Sequence, residues 1–193
     1  MKLNSISLLL LSTLAAPAMA TDSDYEKALA AYQQQDIEAA YIHLKNTLQQ
    51  APNNLPAKLL FANVLIDKQF YKEAELELRS ALSQGADRNL VVEPLCIALL
   101  RRGQFTQVLS VFDEGRLDGP ASKAYRLAKA SALIGLKRMP EALDLYQSLL
   151  QQHQSDMDVR LGLVSAFISD RQFHQAEQVL SPLVHLAKQN DKV

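Results

Sequence analysis

Residues 59–82 read LLFANVLIDKQFYKEAELELRSAL and contain two apolar patterns on either side of a short polar break. Within this stretch, the segment FYKEA at residues 70–74 has a counterpart at every step of 34 residues along the chain. The counterparts are DIEAA at 36–40, QFTQV at 104–108, RMPEA at 138–142 and QFHQA at 172–176. Because the spacing never shifts, and five units counted from Thr21 end at Asn190, the sequence indicates one structural unit repeated five times.

Each unit predicts two helices joined by a turn. In the second helix, apolar or small residues recur every four positions and therefore share one face, as in Ala40, Leu44 and Leu48. Small residues also recur where the two helices must approach closely: Ala28, Ala62, Cys96 and Ala130 in the first helix, and Ala40, Ala74, Ala142 and Ala176 in the second. Turn-forming residues between units predict boundaries at 21–54, 55–88, 89–122, 123–156 and 157–190, with a tail at 191–193.

This helix–turn–helix period resembles the tetratricopeptide repeat (TPR) family, and the second unit carries the family's characteristic residues Phe61, Ala62, Leu65, Tyr71, Ala74, Leu78 and Ala81. The family's terminal proline is kept at Pro52 and Pro120. The resemblance covers residues 21–190 and implies an all-α, right-handed α-solenoid whose first helices line a concave face. Residues 25–90 are also similar to exported TPR proteins of PEP-CTERM and exopolysaccharide systems, notably at IHLKN 42–46, APNN 51–54 and ELELR 75–79.

The resemblance also implies which residues face a ligand, at four positions in each first helix. The partner-binding groove predicted from these positions consists of Tyr25, Tyr32, Leu59, Asn63, Ile66, Ile97, Leu100, Leu127, Ser131, Ile134, Leu161, Ser165 and Ile168; Leu29 and Glu93 occupy such positions too. Family members that grip a terminal carboxylate use Lys and Asn there, but Asn63 has no Lys beside it. Either this apolar groove accepts an apolar or amphipathic segment of a partner protein, or its residues pack against neighbouring first helices.

The first twenty residues predict a secretory signal peptide. Lys2 precedes an apolar stretch that runs from Ile6 to about Ala16, and Ala18-Met19-Ala20 is a small-x-small cleavage pattern. The alternative is an uncleaved anchor, although the apolar stretch is shorter than the roughly 20 residues that span a bilayer. Because residue 21 is Thr rather than Cys, a lipoprotein is excluded, and a periplasmic or secreted protein is expected.

The composition excludes several classes of function. The 20 Lys and Arg residues balance 21 Asp and Glu residues, so the chain offers no basic field for nucleic acid. One Cys rules out an internal disulfide and a Cys-rich metal site, and the four His residues lie at four different repeat positions. No glycine-rich phosphate loop occurs. We therefore expect no catalytic residue, no metal site and no cofactor.

The third unit and the end of the array depart from the pattern. Because proline is unfavourable inside a helix, the first helix of the third unit is expected to start near Pro94, with Val91 and Val92 extended. The second helix is expected to end around Glu114, with a looser joint at residues 115–120 that is either a hinge or a degenerate repeat.

The last helix lacks the polar cap that usually finishes an array. Its apolar residues Leu180, Leu183, Val184 and Leu186 predict a surface for self-association or partner docking. The alternative is that Leu186 folds back and the charged tail screens the rest.

Together these features predict an exported, non-catalytic protein-binding scaffold. Such a protein would assist the assembly of a cell-envelope machine, such as a secretion, pilus, polysaccharide or sorting apparatus. The alternative is a periplasmic, chaperone-like module that binds apolar segments of many clients.

Overall fold

The computed structural model describes the backbone of residues 17–190 and the side chains of residues 24–181. This part of the chain consists of helices and turns without a strand, and it contains a short 3-10 helix at Glu114–Arg116. The α-helices are α1 Pro17–Gln33, α2 Ile37–Gln50, α3 Leu55–Asp67, α4 Tyr71–Ser83, α5 Arg88–Arg101, α6 Phe105–Val108, α7 Gly119–Gly135, α8 Met139–Gln152, α9 Met157–Ser169 and α10 Phe173–Asn190. The predicted all-α repeat architecture is confirmed. Most of the predicted signal peptide and the tail at 191–193 lie outside the described residues, and Pro17 is the first residue of α1.

The turn within each repeat has the same geometry in all five copies. One residue in each turn has a positive φ, and these residues are spaced 34 apart: Gln35, Gln69, Gly103, Lys137 and Arg171. The next residue donates its backbone N–H to a carbonyl five residues back, as from Asp36 to Ala31 at 2.9 Å and from Arg138 to Leu133 at 2.8 Å. This is the Schellman pattern, which satisfies the last carbonyls of the first helix. The second helices therefore all begin in register, at Ile37, Tyr71, Phe105, Met139 and Phe173.

The junctions between repeats are set by helix caps. The first helices of repeats two to five each follow an Asn or Asp whose side chain accepts a hydrogen bond from the first turn: Asn54, Asp87, Asp118 and Asp156. Such a cap satisfies backbone donors that have no partner within the helix and contributes about 1 kcal/mol.

The small residues lie in the contact between paired helices, as predicted. Ala28, Ala62, Cys96 and Ala130 are at most 2% exposed, and Ala40, Ala74, Ala142 and Ala176 are at most 4% exposed. Because these side chains add little bulk, the helices of each pair approach closely along a buried seam. The first helices of neighbouring repeats also contact one another, so the core continues along the array.

The expectation that α5 starts near Pro94 is wrong. The helix begins at Arg88, and Pro94 lies inside it. Two forces favour the longer helix: Asp87 caps it by accepting the Asn89 N–H at 2.9 Å, and Val91 and Val92 are fully buried on its inner face. These contributions outweigh the roughly 3 kcal/mol that a proline costs in a helix interior.

The second helix of the third repeat is also shorter than expected. It ends at Val108 rather than near Glu114, and residues 109–117 pack against the core as turns and one 3-10 turn. Tyr125 of α7 fills the space that further turns of α6 would occupy, and its side chain is 1% exposed. Its ring contacts the ring of Phe112 edge-on, with 5.7 Å between the ring centroids. The matching positions in other repeats hold the smaller Ala57, Val91 and Val159. A full-length helix and Tyr125 would compete for the same volume.

The expected loose joint at residues 115–120 is wrong as well. Gly119 and Pro120 form the first turn of α7, where Asp118 accepts the Ala121 N–H at 2.9 Å. The Asp118 N–H donates to Asn89 of α5 at 3.1 Å. Glu114 lies 3.6 Å from Arg126 and 3.4 Å from Lys129 of α7. The segment is therefore tied to both neighbouring first helices.

We expect Gly162→Ala to destabilise the protein, although Ala normally favours a helix over Gly by about 1 kcal/mol. A Cβ at Gly162 would overlap the ring of Tyr146, which is 3% exposed and bonded through its hydroxyl to Ser131 at 3.1 Å. The expected loss is about 1–3 kcal/mol in the free energy of unfolding, measured by denaturant titration.

Gly119→Ala is the matched control, because nothing lies within 4 Å of the added Cβ, and its effect should stay within about 0.5 kcal/mol. Adding Tyr146→Leu, which restores the residue type of Leu44 and Leu78, should rescue part of the loss. A more stable Gly162→Ala single variant would contradict the close contact.

Candidate functional site

The thirteen residues predicted to form the groove lie on α1, α3, α5, α7 and α9, and none of them is buried. Ile97, Leu161, Ser165 and Ile168 are exposed, and the other nine are half-buried. The first helices therefore keep a partly open apolar surface. Whether this surface binds a partner stays a prediction.

Four of the predicted residues line a central cleft of about 480 Å³. Ile97 and Leu100 contribute from α5, and Leu127 and Ser131 contribute from α7. The remaining lining residues are Glu93, Cys96, Pro120, Lys123, Ala124, Ala128 and Asp158. Sequence reasoning placed Glu93 at a ligand-facing position but did not name Lys123 and Asp158, which lie near the N-terminal ends of α7 and α9.

Three other predicted residues line a cleft of about 550 Å³ nearer the N-terminus, which we call the N-terminal cleft. Tyr25, Leu59 and Asn63 face it from α1 and α3. Sequence reasoning missed the rest of its lining, which consists of Leu55, Pro56, Leu60, Gly85, Ala86, Asp87 and Leu90.

The other six predicted residues lie outside the two clefts. Ile66 and Ile134 pack against core clusters. Burial, followed by a hydrogen bond with Asp67, raises the pKa of the Tyr32 hydroxyl, which is thus engaged within the protein. Leu161, Ser165 and Ile168 of α9 stand exposed at the end of the array.

Among the side chains of residues 24–181, the central cleft is lined by one cationic side chain, which forms an ion pair, and by two carboxylates that form none. Lys123 Nζ lies 2.5 Å from Asp156 Oδ2, and this hydrogen bond both raises the pKa of Lys123 and lowers the pKa of Asp156. Glu93 and Asp158 form no ion pair with any other described side chain, and both are exposed. The rim of the cleft therefore carries excess negative charge.

The hydroxyl of Ser131 is used within the protein. Ser131 Oγ donates to the Leu127 carbonyl at 3.1 Å and lies 3.1 Å from the Tyr146 hydroxyl. Burial raises the pKa of Tyr146, so this hydroxyl stays protonated. Since Ser131 already bonds two neighbours, the floor of the central cleft is mainly apolar.

Cys96 lies at the base of the central cleft and is 2% exposed. Burial, with a smaller contribution from the charge of Glu93, raises the pKa of its thiol to about 12. A thiol that stays protonated is a poor nucleophile, so Cys96 acts as a small packing residue.

The end of the array exposes apolar side chains on the last repeat. Leu161, Ile168 and Phe173 are 51%, 50% and 63% exposed, whereas their counterparts in repeat two, Leu59, Ile66 and Tyr71, are half-buried because a further repeat follows. Of the predicted C-terminal surface, Leu180 is half-buried against the core, and the side chains of Leu183, Val184 and Leu186 lie outside the described residues. Its role in docking or self-association stays a prediction.

Within residues 24–181, no group of three or more His, Cys, Asp or Glu side chains is arranged to hold a metal ion. Of the helices in the described part of the chain, none combines the length and the hydropathy needed to cross a membrane.

Comparison with known proteins identifies one sequence family. The family described as Tetratricopeptide repeat matches residues 31–93 and 133–193, which is more than half of the chain. The interval between the two matches contains the shortened third repeat. No curated protein sequence matches the chain.

Several solved structures share the fold. MamA from Desulfovibrio magneticus RS-1 has 13% identity and a TM-score of 0.74, over 91% of this chain and 99% of that one. YrrB, described as a TPR protein with an unusual peptide-binding site, has 18% identity and a TM-score of 0.59, over 93% and 99%. PilF from Pseudomonas aeruginosa has 18% identity and a TM-score of 0.61, over 86% and 76%. At these identities the likeness shows the fold alone.

We expect Cys96 to react with a thiol reagent only when the protein unfolds. At pH 8, a pKa of about 12 leaves roughly one thiolate in ten thousand, and the side chain is also inaccessible. The labelling rate in rising denaturant should follow the unfolded fraction. The control is Cys96→Ala combined with Ile97→Cys, which moves the thiol to a 36% exposed position and should react at once. Equal rates for native and unfolded protein would contradict the buried placement.

Proposed function

The chain belongs to the tetratricopeptide repeat family, and on this premise we propose that it is an exported, non-catalytic protein-binding scaffold. We propose further that it assists the assembly of a cell-envelope machine, such as a secretion, pilus, polysaccharide or sorting apparatus. The observation that carries the binding role is the partly exposed apolar lining of the two clefts on the first helices. An apolar or amphipathic segment of a partner would bury these side chains, in the manner of a helix in a groove.

The contact surfaces of the array support this role. Leu59, Leu100 and Leu127 each pack one side against a core cluster and keep another side exposed. Such side chains are already held in place, so a partner that covers them loses little of its binding energy to ordering the protein.

Export is the second part of the proposal and rests on the signal peptide pattern at residues 1–20. A precursor expressed in a Gram-negative host should be cleaved between Ala20 and Thr21, because the Ala18-Met19-Ala20 pattern suits the signal peptidase. Intact-mass analysis of the periplasmic fraction should find a chain that begins at Thr21. Lys2→Glu, which removes the positive charge of the leader, should slow export. A full-length chain that stays in the cytoplasm would contradict this part of the proposal.

A chaperone-like module that handles many clients is the alternative function. It is favoured by the scarcity of polar groups that could select one partner. The hydroxyls of Ser131 and Tyr32 are engaged within the protein, which leaves Tyr25, Asn63 and Ser165 among the predicted groove residues. Apolar contacts alone discriminate weakly between segments of similar size.

In-cell crosslinking tests the groove and separates the two functions. A photoreactive residue at Leu100, in the central cleft, should capture a partner in the native host, because this side chain would lie under the bound segment. One stoichiometric adduct supports the scaffold, and many sub-stoichiometric adducts support the chaperone. The same adducts from a photoreactive residue at Ile42, which is 56% exposed on α2, would contradict a groove-specific site.

Two matched double variants test whether the exposed apolar residues of the first helices bind the partner. Ile97→Gln with Leu90→Gln removes two exposed apolar groups from the clefts on the first helices and should weaken capture at Leu100 at least tenfold. Ile42→Gln with Leu76→Gln removes the same residue types from second helices, where they are 56% and 59% exposed, and should leave capture unchanged. Thermal unfolding of both variants should match that of the parent chain.

A further inference from the structure

We propose that the central cleft and the N-terminal cleft together bind a cationic amphipathic helix, whose Lys or Arg side chains meet acidic groups at the cleft rims. This inference rests on the proposed binding function and specifies the chemistry of the partner segment. The juxtaposition that carries it is an apolar floor next to carboxylates that lack cationic partners.

The central cleft holds two carboxylates that form no ion pair within the described part of the chain. Glu93 from α5 and Asp158 from α9 line the cleft and form no ion pair with another described side chain. Lys123 is the cation among the lining residues, and its ammonium is bonded to Asp156 at 2.5 Å. A cationic side chain entering the cleft would therefore meet two free carboxylates.

Several acidic side chains outside the clefts are matched by nearby cations. Ion pairs join Glu75 to Arg79 and Arg102, Glu77 to Lys58, Glu38 to Lys68, Glu114 to Arg126 and Lys129, and Glu141 to Arg138. The chain as a whole is nearly neutral, with a formal net charge of −1. In the clefts, carboxylates without an ion pair to a described side chain lie beside apolar surface that a partner segment could cover. A local field of this kind selects partners and steers their approach more than it adds affinity.

The N-terminal cleft has the same character. Its floor is built from Leu55, Leu59 and Leu90, and Asp87 is its charged lining residue. The Asp87 carboxylate caps α5 through the Asn89 N–H at 2.9 Å and has no cationic partner among the described side chains. Both clefts therefore combine apolar surface with carboxylates that form no ion pair with a described side chain.

The spacing of the clefts suits a helix. Leu90 lies in the N-terminal cleft and Ile97 in the central cleft, both on α5. These positions are two helical turns apart, which corresponds to about 10 Å. A partner helix that runs along α5 with apolar side chains at positions i and i+7 would place one anchor in each cleft.

Three peptides with one leucine pattern test the inference on the full mature chain. Each has about 15 residues and Leu at positions i, i+3, i+4 and i+7, and the polar positions are all Lys, all Gln or all Glu. Fluorescence anisotropy at low ionic strength should show the Lys peptide binding at least tenfold more tightly than the Glu peptide, with the Gln peptide between them. The preference should shrink as salt is added, because these charges are exposed to solvent.

Two charge-matched variants locate the effect. Glu93→Gln with Asp158→Asn should lower the affinity for the Lys peptide about tenfold and leave the affinity for the Gln peptide within twofold. Asp144→Asn with Glu177→Gln removes the same charge from exposed positions on α8 and α10 and should leave both affinities unchanged. Equal losses in the two variants would overturn the inference, because the preference would then follow net charge alone.

The outcomes separate this inference from the proposed function. If the three peptides bind equally, and Ile97→Gln with Leu90→Gln abolishes their binding, the cationic preference is wrong and the groove stands. If none of the peptides binds, the inference is overturned, and crosslinking at Leu100 decides the proposed function independently.

Discussion

The close contact between the two helices of each repeat is the constraint on which the rest of the structure depends. It is made by small buried side chains such as Ala62 and Ala74, and a larger residue there would force the helices apart. The turn between the helices has little freedom, since a positive-φ residue and a hydrogen bond five residues back fix it in every copy. With contact and turn both fixed, successive first helices fall on one side of the array, and the two clefts form between them.

The third repeat shows how this constraint is kept when one element is shortened. The close-contact position there holds Val108, which is still fully buried, and the helix ends at that residue. Tyr125 and Phe112 occupy the freed volume. In repeats two and four, Lys58 and Arg126 donate hydrogen bonds to the second helix of the same repeat, and the third repeat has Val92 at this position. Because α5 still contacts α7 directly, the first helices continue without interruption. The central cleft lies at this contact.

Periodicity determined how much of the fold the sequence could predict. A pattern that recurs at one spacing predicted the helix pairs and the small contact residues, because each follows from its place in the repeat. The resemblance to the family added the groove positions. The position of Pro94 inside α5 and the short length of α6 were not predicted. Both depend on the burial of Val91, Val92 and Tyr125 in the tertiary structure, which local helix propensity does not describe. The positive-φ turns were hidden because only Gly103, of the five residues, is a glycine.

The same reasoning explains why the sequence predicted the apolar residues of the candidate site but not the arrangement of its charged residues. The apolar floor repeats with the array, so positions such as Leu100 and Leu127 followed from the resemblance to the family. The charged rim does not repeat: Glu93, Lys123 and Asp158 come from three repeats at different positions, and only the packing of their helices brings them together. Their net charge depends further on Asp156, which caps α9 and at the same time neutralises Lys123. A binding preference in such an array is therefore set by the irregular residues around the cleft, while the repeated residues supply the surface on which any partner segment would lie.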